Sequence, residues 1–167
     1  MSLPLPANFR EDIQGKSTAL FPVVAILMVP GDYVHPGSGD DPEELYISTS
    51  PRTFDGNQHL PLLLNIPSLK ESINIQDIKK RAYTIGNMSI TLSNLPYNGK
   101  RFSELVGKKS LINHECRVYW VSPRTLKIHK FDFNATPENP EANAFQAYYG
   151  KIRRYTIKDD KIDLEIE

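Results

Sequence analysis

The chain reads as a mostly β, antiparallel domain of barrel or sandwich type, with one or two short helices. Three observations predict this. Apolar runs that alternate, or stay continuous for a few residues, recur along the 167 residues. Thirteen prolines and nine glycines punctuate them into short pieces. No periodic apolar stretch is long enough to give the crossover helices that a parallel α/β sheet requires. Short strands with frequent turns bury their apolar faces as sandwiches or barrels, and roughly eight or nine strands are expected here.

Taken in order, residues 1 to 18 carry Pro4, Pro6 and mixed polarity, and are expected to form an extended N-terminal arm with little structure of its own. The β-rich domain covers 19 to 167. Its first strand, about Leu20 to Val29, is too short to cross a membrane and includes Pro22, so it reads as a buried strand. The segment before it has Glu11 and Asp12 beside Arg10 and Lys16, unlike the start of a signal peptide, and no membrane anchor is expected. Residues 30 to 44 hold three prolines, three glycines and five acids, which mark an exposed loop. Its acids lack the alternate spacing of a calcium loop, since Asp40 and Asp41 are adjacent and Pro42 follows, so solvation accounts for them.

Leu45 to Thr49 alternates as a strand, and Phe54-Asp55-Gly56-Asn57 carries a hairpin turn signal. An apolar run covers Leu60 to Ile66, and Leu69 to Ile75 alternates again. Tyr83 to Leu92 changes phase across Gly86-Asn87, which predicts one bent strand with a β-bulge. Asn94 to Gly99 is a turn, and Phe102 to Val106 a short helix stopped by Gly107. Arg117 to Val121 and Leu126 to Phe133 read as strands, with a polar insertion at 134 to 144. Tyr148 to Ile157 and Lys161 to Ile166 are expected to pair as a hairpin around Asp159-Asp160. That register sets Ile157 against Ile162, Tyr155 against Leu164 and Arg154 against Glu165, and leaves Lys158 facing Lys161.

Chemistry-bearing patterns are sparse. There is no phosphate loop, CxxC or HExxH pattern, and no serine lies in a nucleophile elbow. His35, His59, His114 and His129 lie in separate segments. The single cysteine, Cys116, rules out an intrachain disulfide and reads as a small buried side chain. No catalytic residues, metal or cofactor are therefore expected. Lys and Arg total 20, as do Asp and Glu, so the basic excess of a dedicated nucleic-acid binder is missing. Basic clusters at Lys79-Lys80-Arg81, Lys100-Arg101, Lys108-Lys109 and Lys151 to Arg154 do have aromatic neighbours, so an oligonucleotide- or polysaccharide-binding barrel is the alternative reading. A neutral chain also suits a part of an assembly.

Three stretches carry a resemblance: YISTSPRTFDG at 46–56, LLLNIPSLKESINI at 62–75 and TLSNLPYNGKRFSELV at 91–106. Two later ones, CRVYWVSP at 116–123 and YYGKIRRYTIKDDKIDLEIE at 148–167, extend it. Together they resemble the first domain of phage tail-tip and baseplate hub proteins, over about residues 44 to 167. The resemblance implies a barrel-like domain that forms a ring, typically a trimer, with copies of itself. It implies a virion location after synthesis in the host cytoplasm, and neighbouring tail-tube, distal-tail and spike or fibre proteins. It also implies that DNA passes through the ring during host entry. Such hubs continue into further domains, so the chain is expected to be the first domain of a longer polypeptide. Exposure, rather than any motif, nominates Tyr33, Asp40 and Glu43 of the acidic loop and Asn134, Glu138 and Asn143 of the insertion as interface residues.

Overall fold

The computed structural model describes residues 7–15, 19–28, 43–54, 57–65, 71–73, 83–85, 87–107, 110–122 and 144–167. Among them are helices α1 (Ala7–Ile13) and α2 (Phe102–Val106) and ten strands: β1 (Phe21–Met28), β2 (Glu43–Ser48), β3 (Arg52–Phe54), β4 (Asn57–His59), β5 (Glu71–Ile73), β6 (Tyr83–Ile85), β7 (Met88–Ser93), β8 (Glu115–Val121), β9 (Phe145–Ile157) and β10 (Lys161–Ile166). The fold is mostly β, as the sequence predicts. Six strands form one antiparallel sheet in the order β2-β1-β8-β9-β10-β7, curled into a half-barrel.

The segment Leu60–Asn65 closes the gap between the sheet's two outer strands. On the β2 side, Leu60 N–H donates to Tyr46 O at 2.9 Å, Ser48 N–H to Leu60 O at 2.8 Å, and Leu63 N–H to Ser48 O at 3.0 Å. On the β7 side, Ser93 N–H donates to Leu62 O at 2.7 Å and Leu64 N–H to Thr91 O at 3.0 Å. The Asn65 side chain accepts the Thr91 N–H at 2.8 Å. The expected apolar run at Leu60 to Ile66 is thus, over its described part, a seam whose Leu62 and Leu63 fill the interior.

The interior is one apolar cluster that includes Val24, Ile26, Ile47, Ile90, Leu92, Cys116, Val118, Ile152, Ile162 and Leu164. Helix α2 adds Phe102 and Val106 to it. Glu104 accepts the Arg101 backbone N–H at 2.9 Å, which caps the helix start, and Gly107 at φ 72° ends it. Strand β1 is apolar on both faces because a second, smaller cluster covers its outer side: Phe21, Val23, Ala25, Tyr46, Tyr119, Val121 and Ala144.

Two expectations are corrected. The N-terminal arm contains a helix rather than only extended chain: α1 covers Ala7–Ile13, with Gln14 N–H donating to Arg10 O at 3.2 Å. The segment ANFREDI lacks proline and glycine, and a proline ahead of a first helical turn is compatible with it. The phase change at Gly86-Asn87 does not mark a bulge within one strand. Strand β6 pairs with β5 in a separate two-stranded sheet, whereas β7 pairs with β10. The alternation flips because the chain changes sheets. The expected strand at Leu126 to Phe133 and the turn residues Asp55-Gly56 lie outside the described residues.

Candidate assembly surface

Of the six residues nominated from exposure, Glu43 begins β2 opposite Met28. Tyr33, Asp40, Asn134, Glu138 and Asn143 lie outside the described residues. Strand direction nevertheless separates the roots of their two loops. The first is rooted at Met28 and Glu43, the end of the sheet that also carries Glu115 and Lys151. The second enters β9 at Phe145, opposite Trp120, at the end shared with Phe21 and Ser48. Met28 and Glu43 on one side and Phe145 on the other therefore lie at opposite ends of the β1-β2-β8-β9 sheet.

Of the basic clusters that motivated the alternative reading, Lys151 to Arg154 lies on β9, Lys100-Arg101 precedes α2, and Lys79-Lys80-Arg81 and Lys108-Lys109 lie outside the described residues. Tyr149 is exposed, and the Arg117 guanidinium lies 5.5 Å from its ring centroid. The neighbouring cations are matched by acids: Arg153 Nε sits 2.9 Å from Glu167, Arg154 lies 3.9 Å from Glu165, and Lys158 Nζ is 3.1 Å from Asp163. Lys151 is the register partner of Glu115. Tyr155 packs against the interior cluster instead of joining Tyr149. This ladder is charge-balanced, a poor match to a phosphate backbone.

Apolar exposure occurs in several places. Leu64 on the seam is 58% exposed, Leu95 58%, Ile157 50% and Ile112 46%. Leu95 and Ile157 flank a single clamp. The buried Asn94 donates from Nδ2 to Lys158 O at 2.8 Å and accepts the Ser103 N–H at 3.0 Å. Its own N–H donates to Asp160 O at 2.9 Å. Arg101 adds a bond to Asp159 O at 3.3 Å. The β9–β10 turn, the end of β7 and the start of α2 are thereby fixed together. Large apolar groups held on rigid backbone are suited to contact with another protein.

On the outer cluster, the β3–β4 hairpin lays Arg52 over the Phe21 ring at 3.9 Å and stacks His59 on Tyr46 at 5.0 Å between centroids. The Tyr46 hydroxyl donates to Glu44. Burial, with the Arg52 charge second, pushes His59 down to about 4. Burial pushes the Cys116 thiol up to about 12, so it stays protonated at neutral pH inside the barrel. Among the described residues, no three His, Cys, Asp or Glu side chains gather as a metal site, and no helix is long and apolar enough to cross a membrane.

The sequence reading missed Asn94, His59 and Gly150 as organising residues. Only Asn94 had a visible signal, an Asn placed between a strand and a turn cluster. Comparison of the chain with protein-family models and with curated proteins gives no match.

Proposed function

We propose that the chain is a structural subunit of a phage tail tip, a baseplate-hub type of domain. In this reading it assembles with copies of itself into a ring, with three copies the first expectation. The ring joins the tail tube to distal-tail and spike or fibre proteins and lets DNA pass during host entry. It acts by shape. The observation that carries the reading is where the hub-like stretches fall in the fold. LLLNIPSLKESINI supplies Leu62 to Asn65 of the seam, TLSNLPYNGKRFSELV supplies the last half of β7, Asn94 and Arg101 of the clamp and α2, and the C-terminal stretch supplies most of β9, the β9–β10 turn and β10. Much of the resembling sequence thus lies where the barrel is closed and braced, as expected for a domain selected to keep one shape within an assembly.

Absolute mass by light scattering, at rising protein concentration and at two salt levels, tests this reading. A discrete ring that grows with concentration is the expected result. A monomer at every concentration, both alone and with tail-tube protein, would sink it. The alternative, an oligonucleotide- or polysaccharide-binding barrel, has the Tyr149–Arg117 pair in its favour. It predicts that Tyr149→Ala abolishes binding of a single-stranded oligonucleotide or a glycan by a monomer. The acid partners along β9 and β10 weigh against it.

A further inference from the structure

The β3–β4 hairpin is short, with three register pairs: Arg52 with His59, Thr53 with Gln58 and Phe54 with Asn57. Two ring contacts at its base seat it on the barrel. The Arg52 guanidinium lies 3.9 Å above Phe21, and His59 stacks on Tyr46 with 7° between ring planes. Phe21 and Tyr46 both belong to the outer apolar cluster, so the hairpin base covers that cluster. His59 is only 1% exposed and directly opposite Arg52 in the register. With a neutral imidazole this pair is tolerated. A charged imidazole would face the like charge of Arg52 across the strands and would itself be buried, which is unfavourable twice over.

We propose that the β3–β4 hairpin is an acid-released latch: protonation of His59 unseats it from Tyr46 and uncovers the outer face around Phe21 and Tyr46, while the barrel stays closed. Among the described residues, the charged and titratable groups on the elements at this face include Arg52 on β3, Glu44 and Tyr46 on β2, and Arg117 and Tyr119 on β8. Glu44 is engaged by the Tyr46 hydroxyl and acts on Tyr119. Arg52 opposes a positive charge on His59. The folded histidine titrates at about 4 and the released one near 6.5, so the latch holds above the released value and loosens as pH falls between the two. The seam bonds of Leu60, Leu62, Leu63 and Leu64 are backbone to backbone and do not titrate.

Hydrogen exchange read by mass spectrometry on the wild-type chain, corrected for intrinsic rates, tests the latch. Between about pH 7 and about pH 4.5 the amides of Arg52 to Phe54 and Asn57 to His59 are expected to open roughly fifty- to a hundredfold more often, with β8 and β9 unchanged. His59→Phe keeps a ring on Tyr46 and removes the proton, so its hairpin should lose this pH dependence. Hairpin and barrel strands loosening together, or a hairpin indifferent to acid, overturns the proposal. Should that variant not fold, NMR titration of His59 in the wild type decides. A midpoint near the ordinary 6.5 overturns the proposal, and one well below it, accompanied by shifts of the Tyr46 and Phe21 rings, supports it.

Discussion

Gly150 shows how one residue sets the interior spacing. Across the sheet, Leu45 faces Ile26, Ile26 faces Cys116, and Cys116 faces Gly150, so side-chain volume falls along this row. The end of β10 fills the space left. A Cβ on Gly150 would sit 2.7 Å from Glu167 O and 2.9 Å from Ile166 Cγ2. The oxygen cannot yield easily, because it accepts the Lys151 N–H at 2.8 Å. Gly150→Ala is therefore expected to destabilise by about 1–3 kcal/mol, lowering the thermal midpoint by several degrees. An unchanged melting curve would show that β10 can shift at no cost. Gly99 makes a useful contrast, since a Cβ there would meet nothing within 4 Å but φ is +80°. Its glycine answers a conformational demand, and its neighbour Asn98 is also left-handed at φ 52°. The Asn-Gly turn was legible in the sequence because turn chemistry is local. Gly150 was not, because its constraint comes from Ile166 and Glu167, 16 and 17 residues away in sequence.

Among the elements, the β9–β10 hairpin was the most legible. Its three expected pairs, Ile157 with Ile162, Tyr155 with Leu164 and Arg154 with Glu165, all occur. Lys158 does face Lys161, with its N–H donating to Lys161 O at 2.8 Å, but its ammonium turns to Asp163 and escapes the like charge. Periodicity and cross-strand pairing decide such a register within about twenty residues of chain. The turn's place at Asp159-Asp160 was legible too, but its geometry was not. Asp159 and Asp160 are not among the residues with positive φ, so they do not form the primed turn that a two-residue hairpin prefers. The bonds from Asn94 and Arg101 to the turn carbonyls hold it instead. Asn94→Ala leaves Lys158 O and the Ser103 N–H without that partner, at an expected cost of about 2–3 kcal/mol. Urea unfolding should show a lower midpoint at an unchanged slope. Faster amide exchange at Lys158 to Lys161 should accompany it, and a turn as protected as before would mean that the clamp is redundant.

At the scale of the whole molecule, the question is what makes a curled sheet of six strands a closed object. A half-barrel presents two rows of unpaired backbone groups, and an exposed row invites pairing with other chains. The seam at Leu60–Asn65 occupies both, bonding to Tyr46 and Ser48 on one side and to Thr91 and Ser93 on the other. Sequence reading marked this run as apolar but could not assign it, because it is too irregular for a strand and its partners, β2 and β7, lie at opposite edges of the sheet. If assembly is the protein's role, a sealed seam directs association to side chains and loops and away from open strand edges. Leu64 isolates the seam's backbone contribution, since its side chain is 58% exposed while its N–H donates to Thr91 O. Leu64→Ala should change stability by no more than about 0.5 kcal/mol. Leu64→Pro removes the N–H and should cost about 2–3 kcal/mol. It should also expose the β7 edge, read as concentration-dependent aggregation by light scattering under conditions where Leu64→Ala stays dispersed. Equal stability and equal dispersion of the two variants would mean that the sheet holds its curl without the seam, and that closure comes from the interior apolar cluster alone.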